Sequence, residues 1–214
     1  MYIFFSFNYI EIKPYEKAKK MSIKHTPISN EGVQEELRNV GWTLIKNYAT
    51  TDDCIQIKKS LTIKSEGLVN SRLLTPVFIG NSLFNTSVLA ESPNAFKLVT
   101  SKFIRETSFN YLRKQSLLKC VRSYRIIKGE KLFRWHADNK SPIDGKVDKS
   151  KGLVFIIYLD DDDYGSFSIA EKSNNTSRSA IASKKDVQNW EKNNLIKDII
   201  AKRGDLLIFS QDVF

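Results

Sequence analysis

The chain has 214 residues, 41% of them hydrophobic, and carries 34 basic against 24 acidic residues for a net charge of +10. That length suits one domain with a substantial core and excludes a disordered or fibrous chain. Cys54 and Cys120 stand too far apart for a disulfide framework or a zinc knuckle, which predicts a reduced, cytoplasmic protein.

The opening residues, Met1 to Phe7, are apolar but lack a basic leader. Asn8, Glu11 and Lys13 cut the run short, so neither a signal peptide nor a membrane span is predicted. With the basic cluster Lys17 to Lys20 ahead of Met21, residues 1–24 read as an extension before a single domain over 25–214, and Met21 is a candidate start. Asn30 is placed to cap a short helix with Val33, Leu37 and Val40 on one stripe and Gly41 as its stop. Trp42 to Lys46 reads as a strand. Thr50 with Asp53 has the capping-box pattern, which predicts a helix over 51–61. From Lys64 to Leu89 no period persists, and loops with one short strand at Val77 to Ile79 are expected.

Ser92-Pro93 is a helix entry, because proline at the first helical position gives up only a donor that would be orphaned anyway. Phe96, Val99, Phe103, Tyr111 and Leu112 then supply an apolar helical stripe. From Cys120 the texture changes to strands at 120–127, 132–138, 152–159 and 165–170. Ser183 with Asp186 caps a further helix through Val187 and Trp190, and the Arg203-Gly204 turn leads into the run Asp205 to Phe209. Helices first and short strands after them predict an α+β domain with a sandwich or barrel core.

Chemistry concentrates between Ser123 and Asn139. An extended run turns at Lys128-Gly129 and delivers His136 and Asp138 two residues apart, so that on a strand both side chains leave from one face. A neutral imidazole beside a carboxylate, with open positions left over, supplies two thirds of the facial triad that holds non-haem Fe(II). Tyr124 and Arg122 share the inward face of the preceding strand. The acidic run Asp160 to Asp163 lacks the spaced ligands of a calcium site and reads as a solvated turn.

Four stretches together resemble the phytanoyl-CoA dioxygenase family, within the 2-oxoglutarate- and Fe(II)-dependent oxygenases. They are Gly41-Trp42-Thr43-Leu44-Ile45-Lys46, Trp135-His136-Ala137-Asp138, Gly165 to Ile169 with Ser173, and Arg203 to Phe209. Ala170-Glu171-Lys172-Ser173 departs from the family's Pro-Gly-Ser-His turn. The resemblance implies a double-stranded β-helix, a cupin-like jelly roll with the N-terminal helices packed on one sheet. It implies Fe(II) and 2-oxoglutarate as cofactors, with His136 and Asp138 as metal ligands. Tyr124 and Arg122 would bind the keto acid, while Trp135 and Asn139 would touch the substrate, though packing serves Trp135 equally well. The family's distal histidine and keto-acid-anchoring arginine would fall beyond Phe214, so the resemblance implies missing C-terminal strands and an inactive chain as given.

The activity so implied is hydroxylation of a small molecule or a carrier-linked acyl group. An anionic substrate is favoured by Lys146, Lys149 and Lys151, in a loop placed as a lid. A jelly roll that binds without iron chemistry is the alternative. A nucleic-acid-modifying dioxygenase comes third, because no basic patch interleaved with aromatics accompanies the positive charge. No membrane partner is expected, and the oligomeric state stays open.

Overall fold

The computed structural model describes residues 1–9, 30–68, 83–125, 135–138, 152–161, 167–173 and 182–213. In chain order the elements are β1 (Tyr2–Tyr9), α1 (Asn30–Asn39), β2 (Trp42–Ile45), α2 (Thr51–Leu68), β3 (Leu83–Asn85), α3 (Val88–Glu91) and α4 (Pro93–Val99). They continue with α5 (Lys102–Leu112), β4 (Ser116–Arg125), β5 (Gly152–Tyr158), β6 (Phe167–Ala170), α6 (Lys184–Lys192), β7 (Ile196–Ile199) and β8 (Leu206–Ser210). The main sheet has six strands in the order β2-β8-β5-β1-β4-β3, and β6 pairs with β7 in a second, two-stranded sheet. Every pairing is antiparallel.

Period-two alternation sorts the side chains of the main sheet onto two faces. One face carries Ile45, Val121, Leu153, Phe155, Ile157, Leu206 and Ile208, which pack with Val33, Leu37, Ile57, Leu61, Leu98 and Ile104 of the helices. The other carries Val154, Ile156, Leu207 and Phe209, which pack with Ile169 of β6 and Ile199 of β7. Phe167 and Phe209 bridge the two sheets with ring centroids 5.2 Å apart. Because β5 and β8 are covered on both sides, they are apolar at nearly every position. The expected jelly roll with helices on one sheet is therefore what the chain forms.

One strand overturns the expected domain boundary. Tyr2–Tyr9, which read as part of an extension, lies inside the main sheet between β4 and β5 and pairs with both. Ile3 and Phe5 are fully buried, and Phe5 stacks on Phe155, its direct cross-strand partner, at 5.0 Å. Strand pairing is decided by neighbours rather than by local pattern, and these neighbours lie more than a hundred residues along the chain.

Local signals hold where the chemistry is local. Thr50 accepts from Asp53 N at 3.0 Å while its hydroxyl donates to the Asp53 carboxylate, starting α2, which runs on to Leu68 rather than stopping near 61. Ser92 accepts from Ala95 N with Pro93 opening α4, and Ser183 and Asp186 form the complete capping box of α6. Gly41 ends α1 at a φ of +94°, as expected.

The predicted stripe from Phe96 to Leu112 is broken into α4 and α5 at Thr100-Ser101. Ser101 caps Ile104 N and meets the Tyr48 hydroxyl at 2.7 Å, and that hydroxyl donates to Leu98 O at 2.7 Å. Phe96 consequently lies 52% exposed, off the buried stripe. The expected strand at Val77 to Ile79 falls outside the described residues.

Of the run expected to be a solvated turn, Asp160 is largely covered and Asp161 is exposed, while Asp162 and Asp163 lie outside the described residues. Asp160 bonds Lys58 and the Met1 amino group, and Asp161 accepts from Arg203 N at 3.0 Å and pairs with its guanidinium. Burial tends to raise the Asp160 carboxyl, but Lys58 and the amino group outweigh it and hold the acid below its ordinary range. The neighbouring turn is tied down as firmly. The buried Asp205 accepts from Lys46 Nζ, Asn47 N and Lys202 N at 2.9 to 3.0 Å. Gly204 sits there at a φ of +85°, and a Cβ would lie 2.3 Å from Ala49 O. Left-handed strain together with a backbone clash predicts that Gly204→Ala loses about 2–4 kcal/mol, read from the urea midpoint at constant slope. An unchanged midpoint would show that the turn yields without cost.

Candidate active site

The inner face of β4 carries two polar side chains side by side, Arg122 and Tyr124. They sit at alternate positions of one strand, so both leave on the same side. Tyr124 is only 7% exposed, and its hydroxyl is hydrogen-bonded by Arg122. Burial raises the phenol's pKa above its ordinary value, Arg122 opposes the shift, and the charge of Asp138 reinforces it. Tyr124 therefore stays protonated through the neutral range and keeps an O–H to donate. The charge of Asp138 is felt at the Tyr124 hydroxyl.

Asp138 comes from the short segment that also carries His136. Trp135 O accepts from Ala182 N at 3.0 Å, Ala137 is 1% exposed, and the side chains between and beyond them stay open. His136 and Asp138 are 42% and 26% exposed, with Nε2 and Oδ1 3.4 Å apart. Two ligands about 2.1 Å from one metal ion, at an angle between octahedral and tetrahedral, stand about 3.0 to 3.4 Å from each other. The 3.4 Å separation lies at the tetrahedral end of that range and is compatible with a shared divalent ion, and an imidazole with a carboxylate suits Fe(II) among others. Among the described residues no third His, Cys, Asp or Glu joins them, Asp212 included.

The structure pairs Arg122 with Tyr124 and His136 with Asp138, and the charge of Asp138 acts on Tyr124. Trp135 lies edge-on to Trp190 at a centroid distance of 5.9 Å, in the packing role that the sequence offered beside substrate contact. Asn139, the expected lid over 141–151 and its three lysines lie outside the described residues. Sequence reasoning passed over Ala182 and gave Trp190 only a place in a helix. The signal available was one tryptophan on an otherwise polar stretch, Lys184–Lys192, where it alone is fully buried.

No family model and no curated protein matches the sequence. Solved structures do match. EctD from S. alaskensis, solved with 2-oxoglutarate and 5-hydroxyectoine, superposes over 90% of this chain and 71% of its own with a TM-score of 0.66 at 16% identity. HygX from Streptomyces hygroscopicus, solved with nickel, 2-oxoglutarate and hygromycin B, covers 85% of this chain and 78% of its own at 0.61 and 15%. SnoK, a non-haem α-ketoglutarate-dependent carbocyclase from nogalamycin biosynthesis, covers 88% and 79% at 0.56 and 12%. The shared fold is the double-stranded β-helix. Within it, the inner face that carries Arg122 and Tyr124 is the face enclosed between the two sheets. Among the described residues no helix is long and apolar enough to cross a membrane.

Proposed function

We propose that this protein is a non-haem Fe(II)- and 2-oxoglutarate-dependent oxygenase acting on a small-molecule or carrier-linked substrate, of the phytanoyl-CoA dioxygenase type. The single observation that carries the reading is the approach of His136 Nε2 to Asp138 Oδ1, 3.4 Å apart on the open side of their segment. Similar folds solved with iron or nickel and 2-oxoglutarate support it.

The residues divide the work by chemistry. His136 and Asp138 hold the metal. Arg122 presents a permanent charge and a planar fork of donors matched to a carboxylate, and the Tyr124 hydroxyl adds a neutral donor beside it. When bound, the metal and keto acid together supply the oxidising power, which the protein does not. The chain orients the dianion through Arg122 and Tyr124. Asn139 would touch the substrate, and an anionic substrate would suit the lysines at 146, 149 and 151.

A second reading, a jelly roll that binds a keto acid without turning it over, is favoured by the two-ligand set among the described residues. Titration calorimetry under anaerobic Fe(II) separates the possibilities. Binding of 2-oxoglutarate that needs the metal, weakened about tenfold or more in Arg122→Ala and a few-fold in Tyr124→Phe, is the expected result. Succinate formed once oxygen is admitted favours the oxygenase, and binding without succinate favours the second reading. Failure to bind 2-oxoglutarate at millimolar concentration would sink both.

A further inference from the structure

Resting on the metal reading above, we propose that Trp190 is a positioning residue for the metal pair: it holds the His136–Asp138 segment in the conformation that ligates. The segment alternates. Trp135 and Ala137 are turned into a small apolar cluster with Trp190, Ala170, Val187 and Leu195, while His136 and Asp138 are left on the open side. Residues 135–138 form a bend, a bridge and a turn rather than a regular strand, and burial alternates along them, so holding 135 and 137 in the cluster limits the directions open to 136 and 138.

Three contacts make the clamp. The Trp190 ring, fully buried, meets the Trp135 ring edge-on with planes 61° apart. Such a contact has a preferred geometry, so it resists rotation as well as separation. Ala137 lies in the same cluster at 1% exposure, where only a small side chain is accommodated. Ala182 N holds Trp135 O from the chain that leads into α6, and the capping box of Ser183 and Asp186 fixes where that helix starts.

Trp190 is anchored in turn from behind. Its carbonyl accepts from Leu195 N at 2.9 Å, and Leu195 O accepts from Glu171 N at 2.8 Å at the end of β6. The metal pair is thus tied through α6 to the second sheet. The His136 and Asp138 side chains, 42% and 26% exposed, lie outside the cluster, so the clamp on Trp135 and Ala137 is the support that the described residues offer to the angle between them.

The test uses Co(II) as the probe, read by quenching of tryptophan emission and by its visible spectrum, on the full chain. The other tryptophans, Trp42 and Trp135, remain as reporters when Trp190 is replaced. Trp190→Ala is expected to weaken Co(II) about tenfold or more and to change the spectrum of the saturated site, with Trp190→Phe within about threefold of wild type. Ala137→Val crowds the same cluster without emptying it and carries the expectation of weakening should Trp190→Ala fail to fold. Leu61→Ala, on the helix side of the sheet, is a matched loss of core and should leave Co(II) affinity unchanged.

Wild-type affinity in Trp190→Ala, or in Ala137→Val where the first does not fold, overturns the inference while leaving the metal reading intact. Equal weakening in Leu61→Ala overturns it too, because general loosening would then suffice. If wild type fails to hold Co(II), or holds it equally well as His136→Ala, the metal reading itself falls and takes this inference with it.

Discussion

A chain begun at Met21 is expected not to reach the native state: near-UV dichroism lost, a hydrophobic dye bound, and no cooperative urea transition. The reason lies in where β1 sits. It fills the gap between β4 and β5, so its removal leaves two strand edges unpaired in the middle of a sheet and separates β3-β4 from β2-β8-β5. Burial of Ile3 and Phe5 contributes about 2–3 kcal/mol each, and each backbone hydrogen bond lost to the two flanking strands about 0.5–1.5 kcal/mol more. The total rivals the whole stability of an ordinary domain, about 5–15 kcal/mol. A milder version keeps the strand: Phe5→Ala removes the ring stacked on Phe155 and should cost about 3–5 kcal/mol in a protein that still folds. A cooperative transition of full amplitude in the chain begun at Met21 would show that the sheet closes without β1.

The second large effect is on chemistry with the fold left alone. His136→Ala or Asp138→Ala should lower metal-dependent turnover of 2-oxoglutarate, or metal-dependent binding where no succinate forms, by about 100-fold or more. The melting temperature and far-UV dichroism should stay near wild type, since both side chains lie open on the far side from the Trp190 cluster. Each variant removes one of the two side chains proposed as ligands, leaving one of that pair among the described residues. Asp138→Asn is the finer probe, because it keeps the shape and removes the charge that the ion and Tyr124 both feel. Turnover or binding equal to wild type in both alanine variants would remove the metal assignment. A parallel loss of melting temperature would mean that the pair serves the fold.

The features that could be read from the sequence are those whose physics acts within about four residues. Thr50 with Asp53, Ser92 before Pro93 and Ser183 with Asp186 each complete their hydrogen bonds inside one helical turn, so composition and spacing determined them. The same holds for Arg122 with Tyr124, which period two puts on one face of β4. Residues 135–138 instead form a bend, a bridge and a turn, so the approach of His136 to Asp138 comes from that local geometry rather than from the expected strand. The features that only tertiary structure decided have partners far along the chain. Tyr2–Tyr9 is a strand because β4 and β5 flank it; by itself it is an apolar run with nowhere to go. Tyr48 breaks the stripe from Phe96 to Leu112 by claiming Ser101, and Arg203 and Lys58 turn an acidic run into two ion pairs. Trp190 reaches back to Trp135 across more than fifty residues, and no local period records that the two rings will pack on each other rather than line the site.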